Sequence, residues 1–525
     1  MKLPILVSLL SAAAAAAADT LTALGHSPGL NLTTAEAGNP LFDGWFADPE
    51  IRVYGDVFWI FATTSVLFKN QEHFDAWSST DLVQWTKHPN ILTDGTIPWI
   101  KHTMWAPASA KGRDGKYYLY FSSHNGVRSK KQPNAGLAVA VADKPEGPYR
   151  DALNGTRLLD HAIHGGNPMD PDVFTDDDGK RYLYFGGTKG NVGILNDDMI
   201  SFQPINTSKS ARGTDAEYFK SITPRPSKFE EGMKVFKRNG TYYMMWSENT
   251  YGSPNYRVAY GTSDSPLGPF SPKGVILKQD PAIAVATGHN SVLNIPGTDI
   301  WYIVYHRRPL HESNGDNRVV ALDRMYFDAD GDIEPVELLV KDNFGDGQLS
   351  PHLWQRRSGD WTIVTKDGDD EQQQLLRGSA AQALALIDSH FADLVYDADI
   401  TLEDSGSEAG VTFRTAPSRN RKRPEAFNGY AVWLSAGAGE VFLGHQKGKR
   451  RVGMTVLNSS SDVHVEGGRK YHLRVEFKGT TASVYVNDMA APVMTVTNGA
   501  DTSGQNGLWV KNGSALFDNV SIRHP

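Results

Sequence analysis

Residues 167–187 read NPMDPDVFTDDDGKRYLYFGG and contain the pattern that decides the fold. The pair Asp178-Gly179 separates two extended apolar runs, which is typical of the turn of a β-hairpin. Asp170 stands at the start of this hairpin. An Asp beside a strand is usually a turn former, so a functional interpretation requires that the same position recur elsewhere in the chain.

The hairpin pattern occurs five times, at intervals of about sixty residues. The five copies begin at Asp48, Ala106, Asp170, Glu231 and His289, and their turns lie at Gly55-Asp56, Asp114-Gly115, Asp178-Gly179, Asn239-Gly240 and Gly297. Each unit ends in a further strand, a turn and an aromatic residue, as in SSTDLVQWTKH at 78–88. Helical periodicity is nearly absent from 40 to 335. The repeat predicts an all-β, five-bladed β-propeller, because a long β-sandwich or a β-helix would not account for this period.

The first residues of the five units are expected to meet in space. In a propeller the innermost strand of every blade follows the central channel, so equivalent positions converge on one axis. Three carboxylates (Asp48, Asp170 and Glu231) and the imidazole of His289 should therefore share one pocket. Buried charges are costly unless they are paired or used. Such a set suits glycoside hydrolysis, in which one carboxyl is the acid, one is the base, and a third raises the pKa of the acid. The spacing alone does not assign these roles.

Four stretches within about residues 38–335 resemble glycoside hydrolase family 43. They are GWFADPEI, the WAP of 105–107, DPDVFTDDDGKRYLYFGG and EGMKVFKRNGTYYMMWS. The resemblance implies a five-bladed propeller that works by inversion. It assigns Asp48 as the general base, Asp170 as the residue that orients the acid and tunes its pKa, and Glu231 as the general acid. Glu230 is the alternative acid; Glu231 fits better because the acid of the family directly precedes a small residue.

The resemblance implies three further site residues. His289 corresponds to a channel histidine that holds a water or a metal ion, commonly calcium, and Arg318 to an arginine that hydrogen-bonds the substrate sugar. Trp105 should form an apolar wall of the pocket. The alternative roles are a hydrogen bond within the channel, a salt bridge between blades and ordinary packing, respectively. No cofactor is expected to be required. The resemblance also allows a structural calcium in the propeller channel, which His289 would hold through water.

The same three acids serve more than one activity in this family. Its members cleave α-L-arabinofuranosyl or β-D-xylosyl units. The stretch NPLFDGWFADPE and the appended C-terminal domain are similar to secreted fungal α-L-arabinofuranosidases that act on arabinoxylan, a plant polysaccharide. A β-D-xylosidase is the alternative, since such enzymes carry a similar domain. A sugar-binding propeller without activity is a third hypothesis, but it would not need acids at matched blade positions.

The chain divides into three predicted segments. Residues 1–18, with Lys2, an apolar run and an Ala-rich end, are typical of a secretory signal peptide, so we expect an extracellular protein. Residues 19–338 form the propeller. Residues 339–525 show alternating strands, as in YHLRVEFKGTTASVYVND at 471–488, and predict a concanavalin-like β-sandwich. The sandwich either binds carbohydrate or supports the propeller, and the lack of an evident aromatic row favours support.

Composition excludes several classes of function. The 525 residues include no cysteine, which rules out disulfides and a thiol nucleophile. A net charge of -8 argues against a nucleic-acid surface, and no later stretch is apolar enough to span a membrane. We expect a monomer. Sequons for N-glycosylation occur at Asn31, Asn154, Asn206, Asn239, Asn458, Asn512 and Asn519.

Overall fold

The computed structural model of the protein describes residues 38–129, 132–160, 167–205, 218–367, 372–420, 422–447 and 453–525. The predicted signal peptide and the sequons at Asn31 and Asn206 lie outside these residues. Within them the fold is all-β, with two short 3-10 turns, at Phe68–Asn70 and Asp94–Thr96. None of the described helices is long and apolar enough to cross a membrane.

Five antiparallel sheets follow one another along the chain and form the predicted propeller. Blade 1 contains β1 Phe46–Tyr54, β2 Val57–Thr64, β3 His73–Ser79 and β4 Thr86–Thr93. Blade 2 contains β5 Met104–Lys111, β6 Tyr117–Ser129, β7 Gln132–Ala142, β8 Arg150–Asp151 and β9 Leu159–Asp160. Blade 3 contains β10 Asp172–Thr175, β11 Arg181–Phe185, β12 Asn191–Leu195, β13 Phe202–Gln203 and β14 Phe219–Ser221. Blade 4 contains β15 Phe229–Arg238, β16 Thr241–Glu248, β17 Arg257–Ser263 and β18 Ser271–Leu277, and blade 5 contains β19 Ala284–Asn294, β20 Trp301–Pro309 and β21 Val319–Met325.

The blades form a ring because their inner strands bury both faces. Along β2, Phe58 and Ile60 pack against blade 5, whereas Trp59 and Phe61 pack against blade 2. Further apolar clusters join blade 2 to blade 3, blade 3 to blade 4, and blade 4 to blade 5. Each pair of neighbouring blades thus encloses its own core.

The segment that precedes blade 1 closes the ring against blade 5. The N–H of Leu41 donates to the carbonyl of Val320 at 3.0 Å, and the N–H of Phe46 donates to the carbonyl of Arg318 at 2.8 Å. The side chain of Asn39 accepts a hydrogen bond from the N–H of Leu322. The three-stranded blade 5 is therefore extended by residues from the other end of the propeller.

The C-terminal domain is the predicted β-sandwich, and its two layers share bent strands. Its strands are β22 Val340–Asp342, β23 Trp354–Asp367, β24 Gln372–Phe391, β25 Leu394–Leu402, β26 Glu408–Pro417, β27 Phe427–Ser435, β28 Glu440–Lys447, β29 Met454–Ser460, β30 Lys470–Lys478, β31 Thr481–Val486, β32 Met494–Thr497 and β33 Gly504–Arg523. The first half of β33 pairs with β26, in the layer β29-β28-β27-β26, and its second half pairs with β25, in the layer β25-β30-β31-β32. The change of partner comes at Gly513, whose φ of 155° suits glycine.

The sandwich packs directly on the propeller. One apolar cluster continues from blades 4 and 5 through Ile333, Leu338 and Phe344 into the sandwich core. Polar contacts support it: the N–H of His390 donates to the carbonyl of Ala282 at 2.8 Å, and His311 Nδ1 lies 3.0 Å from Asp388 Oδ2. These contacts agree with a supporting role for the sandwich.

Candidate active site

The first residues of four units share one uncommon backbone conformation, within the innermost strand or just before it. Asp48, Ala106, Asp170 and His289 all have a positive φ, between 44° and 50°. Non-glycine residues seldom adopt this conformation, so it requires support from the surroundings. In three of these blades the strand register shifts at this point, as expected of a bulge that redirects a side chain.

At each of these four positions the backbone N–H donates a hydrogen bond to a side chain of the preceding blade. The N–H of Asp48 donates to His306 Nδ1 at 3.2 Å, and the N–H of His289 donates to Ser247 Oγ at 2.9 Å. The corresponding acceptors for Ala106 and Asp170 are Thr63 Oγ1, at 2.7 Å, and Ser122 Oγ, at 2.8 Å. The propeller thus uses the same contact in four of its blades to place residues at the channel mouth.

Blade 4 differs from the predicted alignment by one residue. Glu231 pairs with Ser247, as Ala47 pairs with Thr63, so the position equivalent to Asp48 is Gly232. Gly232 has a φ of 64°, and a Cβ there would lie 3.2 Å from Cγ and Nδ1 of His289. A side chain at this position would therefore crowd His289, and the carboxylate of blade 4 comes from the residue before it.

All six residues predicted for the site line one cavity of about 110 Å³. They are Asp48, Trp105, Asp170, Glu231, His289 and Arg318, and the cavity is also lined by Phe68, Gln71, Met169 and Tyr251. The structure places the six residues in one pocket, as the repeat predicts. Their individual roles remain predictions. Of the four others, Met169 directly precedes the repeat position Asp170, and Phe68, Gln71 and Tyr251 lie outside the repeat positions.

Asp48 is held as a carboxylate. Its Oδ1 lies 3.2 Å from Arg318 Nη1 and 3.3 Å from His289 Nδ1, and its Oδ2 accepts a hydrogen bond from Thr63 Oγ1 at 2.9 Å. Burial alone would raise the pKa of Asp48, but the charge of Arg318 and the contacts with His289 and His306 outweigh it and hold the pKa well below its usual range. Asp48 therefore stays ionised wherever the protein is folded.

Glu231 is in the opposite state. Burial raises its pKa to about 7; a hydrogen bond from the Tyr256 hydroxyl, 2.8 Å from Oε1, works against the shift, and the charges of Asp48 and Glu230 add to it. Below neutral pH Glu231 therefore holds a proton that it can donate. One pocket thus contains a carboxylate and a carboxylic acid whose environments push their pKa values apart, as acid–base catalysis requires.

Asp170 lies between these two groups. It is buried, and its pKa is raised well above the usual value by burial and by the negative charges of Glu231 and Asp48. Its Oδ2 lies 3.9 Å from His289 Nδ1, and its buried Oδ1 has no hydrogen-bond partner. This placement suits a carboxyl that influences the proton of Glu231.

Arg318, His289 and Trp105 also line the cavity. Arg318 packs its guanidinium over the ring of Tyr251, 4.6 Å from the centroid, and donates from Nε to Ser65 Oγ at 3.0 Å. Burial lowers the pKa of His289, although the charge of Asp48 opposes this shift. Trp105 meets Phe68 edge to face, with their centroids 5.7 Å apart, so the apolar wall has two rings.

A second layer of residues fills the channel beneath the pocket. Two positions after Asp48, Asp170 and Gly232 come Glu50, Asp172 and Lys234. Lys234 Nζ lies 3.1 Å from Glu50 Oε1 and 2.8 Å from Asp172 Oδ1, and Arg52 pairs with both carboxylates. Two cations balance two anions, so this channel layer is electrically neutral. It therefore supplies no net positive charge to stabilise the three acids above it.

The donors near His289 do not match direct ligation of calcium. Asp170, Glu231 and His289 each offer a ligand atom, and these atoms lie within 4.8 Å of one another. Calcium prefers six to eight oxygen ligands, whereas this set contains one imidazole nitrogen and two carboxyls whose pKa values are raised. In the layer below, Lys234 and Arg52 already neutralise the carboxylates. A calcium ion that His289 holds through water remains a prediction.

Comparisons with known proteins agree with this geometry. The model of glycosyl hydrolases family 43 matches residues 37–333, and a 3-keto-alpha-glucoside-1,2-lyase-like domain matches residues 342–523. A β-D-galactofuranosidase of Aspergillus niger is 41% identical over 321 residues, which are 59% of this chain and 87% of the relative. An arabinoxylan arabinofuranohydrolase of Paenibacillus polymyxa is 30% identical over 428 residues, 73% of this chain and 63% of the relative.

Solved structures of the family are also similar. An α-L-arabinofuranosidase from Clostridium thermocellum shares 28% identity and a TM-score of 0.43, over 55% of this chain and 93% of that one. The family model covers more than half of the chain, including every residue that lines the cavity. The chain belongs to glycosyl hydrolases family 43.

Proposed function

We propose that the protein is an inverting α-L-arabinofuranosidase that removes arabinofuranosyl side chains from arabinoxylan. The observation that carries the proposal is the contrast between Asp48 and Glu231 in one pocket, with the pKa of Asp48 held low and that of Glu231 raised to about 7. A protein that only binds sugar has no need of this contrast.

The two groups divide the reaction between them. Glu231 protonates the leaving oxygen of the glycosidic bond, and Asp48 takes a proton from the water that attacks the anomeric carbon from the other side. The bond between the anomeric carbon and the leaving oxygen breaks as the new carbon–oxygen bond forms. Asp170 assists the acid: its pKa is raised by burial and by the charge of Glu231, so the two carboxyls together resist losing both of their protons.

The size of the cavity favours removal of single sugar units. Its volume of about 110 Å³ is small beside the roughly 300–1,000 Å³ of typical ligand pockets. One sugar ring can enter, and the rest of the polymer stays outside. The second layer, with Lys234 between Glu50 and Asp172, blocks passage through the channel beneath the pocket.

A β-D-galactofuranoside is the second candidate substrate, because the relative with that activity is 41% identical. Its sugar has the same ring configuration as α-L-arabinofuranose and a longer exocyclic arm. The names of other relatives, an arabinoxylan arabinofuranohydrolase and a xylosidase/arabinosidase of Humicola insolens, support the arabinofuranoside and keep the β-D-xyloside as an alternative.

The test compares three aryl glycosides and one polymer. Purified protein is incubated with 4-nitrophenyl α-L-arabinofuranoside, β-D-galactofuranoside and β-D-xylopyranoside, and separately with wheat arabinoxylan. We expect the arabinofuranoside to be cleaved fastest and arabinose to be released from the polymer. Preference for either other glycoside would reassign the substrate. Binding of sugar without any cleavage would overturn the enzymatic proposal.

Two further expectations belong to the proposed function. We propose that the protein is secreted, on the basis of residues 1–18, and that it needs no metal for the reaction. Activity should survive treatment with a calcium chelator, because the described channel carboxylates are already paired with Lys234 and Arg52. Loss of activity on chelation, with recovery on adding calcium, would show that a channel ion is required.

A further inference from the structure

One buried side-chain amide oxygen in the pocket lacks a hydrogen-bond partner. Gln71 follows the 3-10 turn Phe68–Asn70 in the loop between β2 and β3, and it is 2% exposed. Its Oε1 is buried and has no hydrogen-bond partner, although the residue lines the cavity that contains Asp48 and Glu231. Leaving such an acceptor unpaired destabilises the folded protein, and an unpaired buried group calls for an explanation.

Every other polar group of Gln71 is engaged. Its N–H donates to the carbonyl of Phe68 at 3.2 Å, and its carbonyl accepts from the N–H of Met104 at 2.9 Å. Its Nε2 donates to the carbonyl of Val66 at 3.1 Å. This last contact fixes the amide orientation, so the group presented without a partner is an acceptor, held in place by three hydrogen bonds.

The position of Gln71 indicates which part of a sugar it would meet. Gln71 belongs to blade 1 and is tied to blade 2 through Met104, whereas Glu231 lies in blade 4, across the five-bladed ring. The anomeric carbon and its leaving oxygen must lie near Glu231. Asp48, also of blade 1, reaches the anomeric carbon from the innermost strand. Gln71 instead lies further out, in the loop between β2 and β3 beside Val66 and Met104. We therefore expect Gln71 to face the part of the sugar away from the anomeric carbon.

We propose that Gln71 Oε1 accepts a hydrogen bond from a hydroxyl of the bound sugar at C3 or on the exocyclic arm, and that this contact determines specificity. The inference rests on the proposed function, since it takes the sugar bound near Glu231 as the one that is cleaved. A site built to hydrogen-bond a substrate hydroxyl strongly rejects an analogue without it, because the buried partner is then left unpaired. Gln71 is the described residue of this cavity whose neutral acceptor is unsatisfied.

The test combines variants with deoxy substrates. The parent aryl glycoside is whichever of the three above the wild type cleaves, and its 2-deoxy, 3-deoxy and exocyclic-deoxy analogues are compared by kcat/KM. We expect the wild type to lose roughly 10- to 100-fold on the 3-deoxy or the exocyclic-deoxy analogue. Gln71→Met, which keeps the length of the side chain, should lose a similar factor on the parent and no longer distinguish that analogue from it.

Two further variants separate binding from folding. Gln84→Met, an exposed change in the same blade, should leave all rates unchanged. Gln71→Asn keeps the amide but shortens the side chain by one methylene, so it should lose part of the wild-type discrimination between the parent and the deoxy analogue. A merely structural role for Gln71 would lower all rates by the same factor.

The outcomes distinguish this inference from the proposed function. Cleavage of the arabinofuranoside with an unchanged deoxy pattern in Gln71→Met would overturn the role of Gln71 and leave the proposed function intact. Cleavage of a different glycoside, with the predicted loss of discrimination, would overturn the proposed substrate and support Gln71. If Gln71→Met does not fold, equal rates of the wild type on the parent and on both remote deoxy analogues would overturn the role of Gln71.

Discussion

Asp48 and Glu231 differ in what their loss should do, although both are buried carboxyl groups in one pocket. General acid and base groups each contribute about 10²–10⁴-fold, so Asp48→Asn and Glu231→Gln should both lower kcat on a natural polysaccharide by at least about 10²-fold. On an aryl glycoside with an acidic leaving group, however, Glu231→Gln should recover much of its rate, because such a group departs without protonation. Asp48→Asn should not recover, because water activation is still required.

The comparison of leaving groups has a clear contrary result. Recovery of Asp48→Asn and not of Glu231→Gln would exchange the two roles. Near wild-type activity of either variant on the polysaccharide would remove that residue from the reaction.

The pH dependence should have a single limb within the range in which the protein is folded. The acid acts while protonated, so kcat/KM should be constant at low pH and fall about tenfold per pH unit above about 7, where Glu231 loses its proton. Asp48 contributes no acidic limb, because its pKa is held well below the usual range. Asp170 and Glu231 cannot both ionise easily, because the charge of Glu231 raises the pKa of Asp170 and such an interaction is mutual. Asp170→Asn removes this interaction, so it should lower activity and move the limb to lower pH.

The control for this profile is Asp56→Asn, an exposed change in the first hairpin turn. It should reproduce the wild-type curve. A limb that stays in place in Asp170→Asn would contradict the tuning role of Asp170.

At the scale of single residues, the repeat predicts the carboxylates and the histidine of the site, but not all of the residues that line the pocket. Asp48, Asp170 and His289 could be predicted because their positions recur. The alignment of the repeat places Glu231 at this position, one residue before the equivalent residue, Gly232. The sequence Glu-Glu-Gly does not reveal which of its residues has the positive φ. Gln71 and Tyr251 lie in loops between strands, where no repeat position marks them.

The innermost strands connect the site to the stability of the propeller. Lys234 is 3% exposed and touches Glu50 and Asp172, both buried. Removing one partner of a buried ion pair leaves uncompensated charge, which typically costs about 3–5 kcal/mol. Lys234→Met should therefore lower the free energy of unfolding by about that amount, as measured by urea denaturation.

The matched change on the same strand is Lys237→Met, which removes an ion pair of Asp176 and Asp177 at the surface. It should have a much smaller effect, because water solvates Asp177 and the Tyr242 hydroxyl still donates to Asp176. Equal losses in the two variants would show that the channel layer is not a special source of stability.

Strand hairpins were the most predictable elements. The turns at Asp178-Gly179 and Asn239-Gly240 lie where the sequence places them, and both glycines have positive φ. The positive φ values of the first residues were not predicted, since each depends on a hydrogen bond to another blade, such as that from the N–H of Asp170 to Ser122 Oγ. Contacts between blades are set by tertiary packing and leave no local pattern in the sequence.

At the scale of the whole molecule, the propeller and the sandwich share one apolar core. The cluster that contains Trp301 of blade 5 also contains Trp354 and Phe391 of the sandwich. Separation would expose this surface to water. Calorimetry should therefore show one cooperative transition, and removal of residues 343–525 should abolish soluble, active protein.

Two resolved transitions, or an active isolated propeller, would contradict this shared core. The sequence predicted a supporting sandwich from the missing aromatic row, and among the described residues the large exposed apolar side chains are Leu67, Tyr326 and Val456, with no aromatic on the sandwich. The sequence could not predict which blades the sandwich contacts, because such contacts depend on the shapes of the two folded domain surfaces.

The central claim, that Asp48 activates water while Glu231 donates a proton, is tested most directly by the configuration of the first product. Proton NMR recorded during rapid cleavage of the preferred aryl glycoside identifies the anomer released before mutarotation. The account predicts a sugar of anomeric configuration opposite to that of the substrate. A first product with retained configuration would contradict it, because Asp48 would then have attacked the sugar itself.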